Sequence, residues 1–206
     1  MKDYEALSKK HFDQQAAEYD ERDTVYYSRE GKISCRDIAA LLRNESYASL
    51  LDVGCGTGFL IDMLAKEHEA DHTGLDLSTE MIRMAEKKQI PGAKFINGTA
   101  DSLPFPDASF DIVTCSQSFH HYPYPEKAMQ EAFRVLKKGG LYILSDTGVG
   151  GLGGWIDNNI FFKLARSGDC HTTNRKGIAR MMEAAGFTVT DSRQLQSFIY
   201  TVTGRK

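Results

Sequence analysis

The run Leu51-Asp52-Val53-Gly54-Cys55-Gly56-Thr57-Gly58 sets three glycines at alternate positions, two residues behind an aspartate. Glycine lets main chain approach a ligand that side chains would exclude, so the run suits a nucleotide-like ligand held against backbone. Its G-x-G-x-G spacing differs from the G-x-G-x-x-G of dinucleotide-binding turns. A carboxylate this close to a pyrophosphate would be unfavourable, whereas it favours a ligand with an ammonium or sulfonium charge. Asp52 therefore argues for a cationic ligand. Further on, Ser116-Gln117-Ser118-Phe119-His120-His121-Tyr122 carries adjacent histidines, the natural proton acceptors near neutral pH. Successive residues seldom face one pocket, so one of His120 and His121 is the candidate base, and the choice between them stays open. Two histidines alone do not make a metal site, and no metal is expected.

The elements that must position these groups follow from the hydrophobic pattern. From Ser49 onward short apolar runs alternate with amphipathic helical patterns, the signature of βαβ units and a parallel sheet, so the fold class is α/β. Five strands are expected at 49–53, 71–76, 93–98, 110–116 and 141–146, the first and fourth the most buried. The glycine run then sits where the first strand turns into a helix, and the histidines follow the fourth strand, at the end of the sheet where such folds place ligands. In PEKAMQEAFRVLKKGG, Ala128, Met129, Ala132, Phe133 and Leu136 recur at helical spacing. Pro125 suits a first helical turn there and Gly139 a C-terminal stop. Two segments fall outside this core and are candidate lids. Residues 1 to about 45 suggest two helices around a polar turn, DERDTVYYSREG. Residues 147 to about 175 open on GVGGLGG, five glycines in seven residues, a candidate hinge without the Lys and Ser or Thr of a phosphate-binding loop. A helix and two strand-like runs close the chain.

LLDVGCGTGFL resembles the first motif of Rossmann-like S-adenosylmethionine-dependent methyltransferases, and later segments continue the resemblance in order over residues 45 to 147, with the ends matching more loosely. The resemblance implies a doubly wound, mostly parallel seven-stranded sheet with helices on both faces and a small helical lid. It implies one domain over 1–206: an N-terminal lid (1–45), a cofactor-binding core (46–147), a lid insertion (148–175) and a C-terminal helix and strands (176–206). It also implies S-adenosylmethionine as cofactor, held by the loop Asp52, Gly54, Cys55, Gly56 and Gly58, with Cys55 offering its backbone. Asp76 would take the ribose hydroxyls, which suits a carboxylate able to accept two hydrogen bonds, with Leu77 beside the adenosine and Met81 a helical turn on. Asp101 would hold the adenine amino group, Ser102 and Leu103 would border the ring, Ser116 and Gln117 would face the methionine part, and Tyr19 would lie over the cofactor. Methyl transfer needs mainly alignment of nucleophile and methyl group, so a base is optional. The segment after the fourth strand lacks the Asn/Asp-Pro-Pro-Tyr of enzymes acting on amide or exocyclic amino nitrogens. The segment after Tyr19 does not match the quinone enzymes' pattern. Both observations leave a small-molecule acceptor whose identity and reacting atom are open.

Composition bounds the rest. The 206 residues fit one ordinary domain, and 41% hydrophobic with 26% charged residues is the balance of a soluble protein. Lys plus Arg number 25 against 28 Asp plus Glu, a net charge of -3 that gives no overall attraction to nucleic acid. Cys35, Cys55, Cys115 and Cys170 are too scattered for a disulfide framework or zinc site, and with no apolar leader or membrane-length run the expected location is the cytoplasm. A monomer or homodimer is expected. Lys163, Arg166, His171, Arg175, Lys176 and Arg180 make the second candidate lid basic, which suits a solvated face or an anionic acceptor. A nicotinamide oxidoreductase is disfavoured by the glycine spacing and by the want of a Tyr-x-x-x-Lys pair, and a binding protein that keeps the cofactor pocket without turnover is the other alternative.

Overall fold

Leu50–Val53 and Ile112–Cys115 are buried along their whole length, so both faces of these strands need cover. The computed structural model describes residues 3–20, 26–164 and 168–206, with backbone only for 26–30. Its strands β1 (Ser49–Val53), β2 (Asp71–Asp76), β3 (Ala93–Asn97), β4 (Phe110–Ser116), β5 (Leu136–Thr147), β6 (Thr188–Gln194) and β7 (Ile199–Arg205) form one sheet in the order β3-β2-β1-β4-β5-β7-β6. β1 to β5 pair in parallel, and β7 runs antiparallel between β5 and β6. Alternate residues supply two cores. Leu51, Val113 and Leu144 pack under α5 (Pro125–Val135) and α8 (Arg175–Ala185), while Leu50, Ile112 and Ile143 pack under α2 (Tyr26–Leu42) and α3 (Phe59–Leu64). Burying each such Leu or Ile contributes ~1.5–3 kcal/mol.

The order reverses between β1 and β4, and the chain ends there that face the same rim of the sheet carry the glycine run and the histidines. Helices at the chain's start and after β5 complete the fold. α1 (Tyr4–Gln15), followed by a 3-10 turn at Ala16–Glu18, packs on α4 (Thr79–Lys87), and α6 (Gly151–Ile156) continues through a π-helical stretch, Asp157–Phe161, into α7 (Phe162–Leu164).

Four expectations are corrected. The helix expected to reach Gly139 ends at Val135, because Leu136 is already extended and pairs with Phe110. Gly139, at φ 78°, lies instead where the β4–β5 register shifts from Phe110–Leu136 to Ile112–Leu141, so β5 begins five residues before the expected Leu141. The second helix starts at Tyr26, inside the stretch expected to be a turn; residues 21–25 of that stretch and Arg166 of the basic lid lie outside the described residues. The glycine run is partly helical rather than a free hinge, since Gly151, Gly153 and Gly154 belong to α6. Close approach explains part of it: a Cβ on Gly148 would stand 2.0 Å from the Thr173 carbonyl oxygen, and one on Gly150 2.1 Å from the Asn174 amide. Among the described residues no helix is long and apolar enough to cross a membrane.

Candidate functional site

A cleft opens at the rim between β1, β2 and β4, with about 1250 Å³ of empty space counted together with the solvent at its mouth. β1 delivers Asp52 to its floor, and β1's last residue runs into the glycine turn. Gly54 and Gly56 have φ 76° and 52°, which only glycine adopts without strain. A Cβ on Gly54 would strike Ser118 Oγ at 1.9 Å, whereas one on Gly56 meets nothing within 4 Å and would stand in the cleft. Gly58, at φ 75°, turns the chain into α3 with its back against Phe95 and is not on the cleft lining.

Two carboxylates brace this turn. Asp76, ending β2, accepts the Gly56 N–H on Oδ2 and the Ser78 N–H on Oδ1, both at 2.8 Å. Burial raises its pKa, and those two N–H groups oppose the rise. Asp52 is 2% exposed and, among the described residues, accepts only the Thr114 hydroxyl, at 2.7 Å. Burial lifts its pKa from 3.8 to about 7, partly opposed by Thr114 and reinforced by Asp76. No cation pairs with it among the described residues. This buried, uncompensated acid, beside a glycine whose Cβ position is open cleft, fits a ligand that brings positive charge against backbone.

The remaining expected residues divide between cleft and core. Leu77, Met81, Asp101, Ser116 and Gln117 line the cleft with Cys55 and Tyr19. Asp101 also meets Lys127 at 3.3 Å. Ser102 is exposed and off the lining, and Leu103 is buried in the core, its N–H held by Glu131 at 2.8 Å, which turns the side chain inward. Gln117 has φ 51°, uncommon for a residue with a side chain, and is tied to Ser34 of α2 and Thr147 at the end of β5.

Only one of the two histidines lines the cleft, but against the expectation for neighbours both face one adjoining recess, with ring centroids 4.2 Å apart. His121 lines the cleft, while His120 lies in an adjoining recess that shares Phe12, Tyr19, Gln117 and His121 with it. Burial pushes the His121 pKa down to about 3, and the neighbouring His120 reinforces this, so the imidazole is neutral. His120 Nδ1 lies 2.7 Å from Asp146 Oδ1, and its N–H donates to Asp146 Oδ2 at 3.0 Å.

Several residues at the site had no signal in the sequence. Asp13 of α1 accepts the Ser78 hydroxyl at 2.6 Å and the Glu80 N–H at 3.2 Å, so one helix caps the start of another. Asp20 accepts the Thr57 hydroxyl at 2.6 Å and pairs with Lys88 at 2.7 Å. These bonds hold the N-terminal segment across the cleft. Tyr122 donates to the Val53 carbonyl at 3.0 Å and backs the glycine turn. Asp146, the last residue of an expected strand, stood where a search for a histidine's partner would begin.

With this geometry in place, residues 51–144 match the family model described as Methyltransferase domain. The uncharacterised methyltransferase YcgJ of Bacillus subtilis (strain 168) is 39% identical over 101 residues, 47% of this chain and 40% of that protein. Its crystal structure superposes with a TM-score of 0.69 at 27% identity, covering 78% of this chain and 70% of that one. A phthiotriol/phenolphthiotriol dimycocerosates methyltransferase of Mycobacterium tuberculosis (strain ATCC 25177 / H37Ra) is 38% identical over 99 residues, 47% of this chain and 37% of that protein. The matches thus span about two fifths of these curated relatives' length. The Burkholderia thailandensis 1,6-didemethyltoxoflavin-N1-methyltransferase, solved with S-adenosylhomocysteine, shares the fold at a TM-score of 0.73 and 18% identity, over 98% of this chain and 88% of that one.

Proposed function

We propose that this chain, whose residues 51–144 match a methyltransferase domain model, is a Rossmann-like S-adenosylmethionine-dependent methyltransferase that transfers the cofactor's methyl group to a small-molecule acceptor. The observation that carries the reading is the meeting of the Gly54–Gly56 turn with Asp52 and Asp76 in one cleft. When bound, the cofactor supplies a methyl carbon activated by positive sulfur.

The chain's own groups supply binding and alignment. Asp76 spends one lone pair on each of two backbone N–H groups and keeps others for a ribose diol. Asp52 ionises fully once a positive group stands against the turn, which couples cofactor charge to loop geometry. Asp101 offers an acceptor for the adenine amino group, and Ser116 and Gln117 flank the methionine part. Tyr19 and Phe12 close the cleft from the N-terminal segment, which acts as a lid. On the acceptor side, His121 reaches the cleft wall with a neutral imidazole that offers a lone pair and no charge. Confinement of acceptor and methyl group between these walls is the main catalytic device, since displacement at a sulfonium carbon is limited by alignment.

Isothermal titration with S-adenosylhomocysteine tests the reading. Binding in the micromolar range is expected, and absence of binding overturns it. Turnover of radiolabelled S-adenosylmethionine against a panel of hydroxyl, amine and thiol acceptors separates an enzyme from a cofactor-binding protein.

A further inference from the structure

α6 and the π-helical stretch after it are turned the opposite way from an ordinary surface helix. Gly154 faces the body of the protein, where a Cβ would stand 2.6 Å from the Val149 carbonyl oxygen. One turn on, the polar Asn158 faces the same way: its amide donates to the Thr172 carbonyl at 3.0 Å and accepts the Thr172 N–H at 2.6 Å. The apolar side chains Leu152, Trp155, Ile160, Phe161 and Leu164 are left facing outward, Leu152 and Leu164 being 75% and 76% exposed. Seven large apolar side chains are exposed among the described residues, and these are five of them. A surface helix ordinarily buries its apolar stripe and wets its polar one. Apolar exposure concentrated on one element marks a surface that meets another apolar phase.

The charge around this patch has one sign. Residues 151–180 carry five Lys or Arg against two Asp, a net +3 within a chain whose total is -3. Lys163 belongs to α7 itself, and Arg175 and Lys176 open α8 directly after Asn174, whose side chain lies against Gly150 at the start of α6. Lys176 and Arg180 are exposed.

We propose that this face docks on the surface of an anionic phospholipid bilayer, with the five apolar side chains entering the headgroup layer and the basic groups meeting lipid phosphates. Trp, Phe and Leu on one face with Lys and Arg beside them are the composition of helices that lie in such an interface. A second copy of the chain is a poorer occupant, since a two-fold contact sets this positive face against itself. The patch also leads to the cleft. Beyond α7, Gly168 lies where a Cβ would stand 2.5 Å from Ser8 of α1, and the Cys170 N–H donates to the His120 carbonyl at 3.2 Å. Docking would hold the acceptor side of the cleft beside the lipid, so the acceptor class that follows is a membrane-resident amphiphile. That consequence rests on the methyltransferase reading; docking itself does not.

Trp155 is the chain's single tryptophan and sits in the patch, so its fluorescence reports docking directly. The full chain is titrated with vesicles of phosphatidylcholine mixed with phosphatidylglycerol and with vesicles of phosphatidylcholine alone. A blue shift of Trp155 emission and co-sedimentation with the mixed vesicles are expected. Binding should be at least tenfold weaker on phosphatidylcholine alone, and in a Phe161→Ser/Leu164→Ser variant that keeps Trp155. Circular dichroism reports whether the variant is folded. Emission unmoved by vesicles, equal affinity for the two kinds of vesicle, or binding unchanged in the variant overturns the proposal. So does a blue shift that grows with protein concentration in the absence of lipid, with a dimer in sedimentation equilibrium, which would assign the face to a second copy. S-adenosylhomocysteine binding without docking leaves the methyltransferase reading standing, and docking without S-adenosylhomocysteine binding does the reverse.

Discussion

Oδ2 of Asp76 accepts the N–H of Gly56 at 2.8 Å, so the acid proposed to hold the ribose also fixes the turn that would lie against the rest of the cofactor. Replacing it removes both. Asp76→Ala is expected to weaken S-adenosylhomocysteine binding by at least tenfold in calorimetric titration and to lower stability by about 1–3 kcal/mol through the two stranded N–H groups. Wild-type affinity in the variant would mean that Asp76 faces no ligand.

Gly56 is the position where a single methyl group discriminates best. In Gly56→Ala the new Cβ touches no protein atom but enters the cleft, at a φ of 52° that costs ~1–2 kcal/mol. Loss of S-adenosylhomocysteine binding well beyond the fall in thermal stability is expected. Equal affinity would show that the ligand stays away from the turn.

Asp52 gives a pH dependence of unusual sign. Its folded pKa, about 7, lies above its ordinary 3.8, so the folded state holds that proton more tightly. Its contribution to stability is present below about pH 4 and is lost as pH rises toward 7, on the order of 4 kcal/mol at most. Asp52→Asn should therefore gain on the wild-type protein in urea unfolding as pH is raised from 5 to 8, and bound S-adenosylmethionine should narrow that gap. A pH-independent difference would mean that Asp52 stays ionised throughout.

Asp13 behaves oppositely. Burial would raise its pKa, but hydrogen bonds from Lys9, Ser78 and the Glu80 N–H outweigh that and hold it below 3.8. The clasp between α1 and α4 is thus strongest above pH 4 and fails as pH falls below it. In Asp13→Ala, amide exchange in α1 at neutral pH should quicken roughly tenfold, the worth of one hydrogen bond to a charged group. Unchanged exchange would show that apolar contacts alone hold the lid.

β1, β2 and β4 have the bounds expected from the sequence because each is a short, buried run ended by a turn residue, where periodicity and punctuation agree. The end of α5 was not legible: Leu136 and Gly139 continue a helical spacing, and only pairing with β4 draws them into a strand. At the site, Asp52 and Asp76 were legible because they adjoin strand ends. Asp13, Asp20 and Asp169 were not, since each reaches its partner across the chain, as Asp13 does to Ser78. Leu103 follows Asp101 closely enough to suggest the same wall, yet the bond from its N–H to Glu131 sends it into the core.

β7 is the last strand in chain order and lies between β5 and β6. During synthesis β6 therefore emerges before its one neighbour in the sheet exists, and β5 presents an open edge until residues 199–205 arrive. Five of the seven strands can assemble vectorially, while β6 and β7 wait on one late, long-range pairing. That interval is when unpaired edges can capture another chain, so nascent-chain aggregation and chaperone dependence should concentrate there.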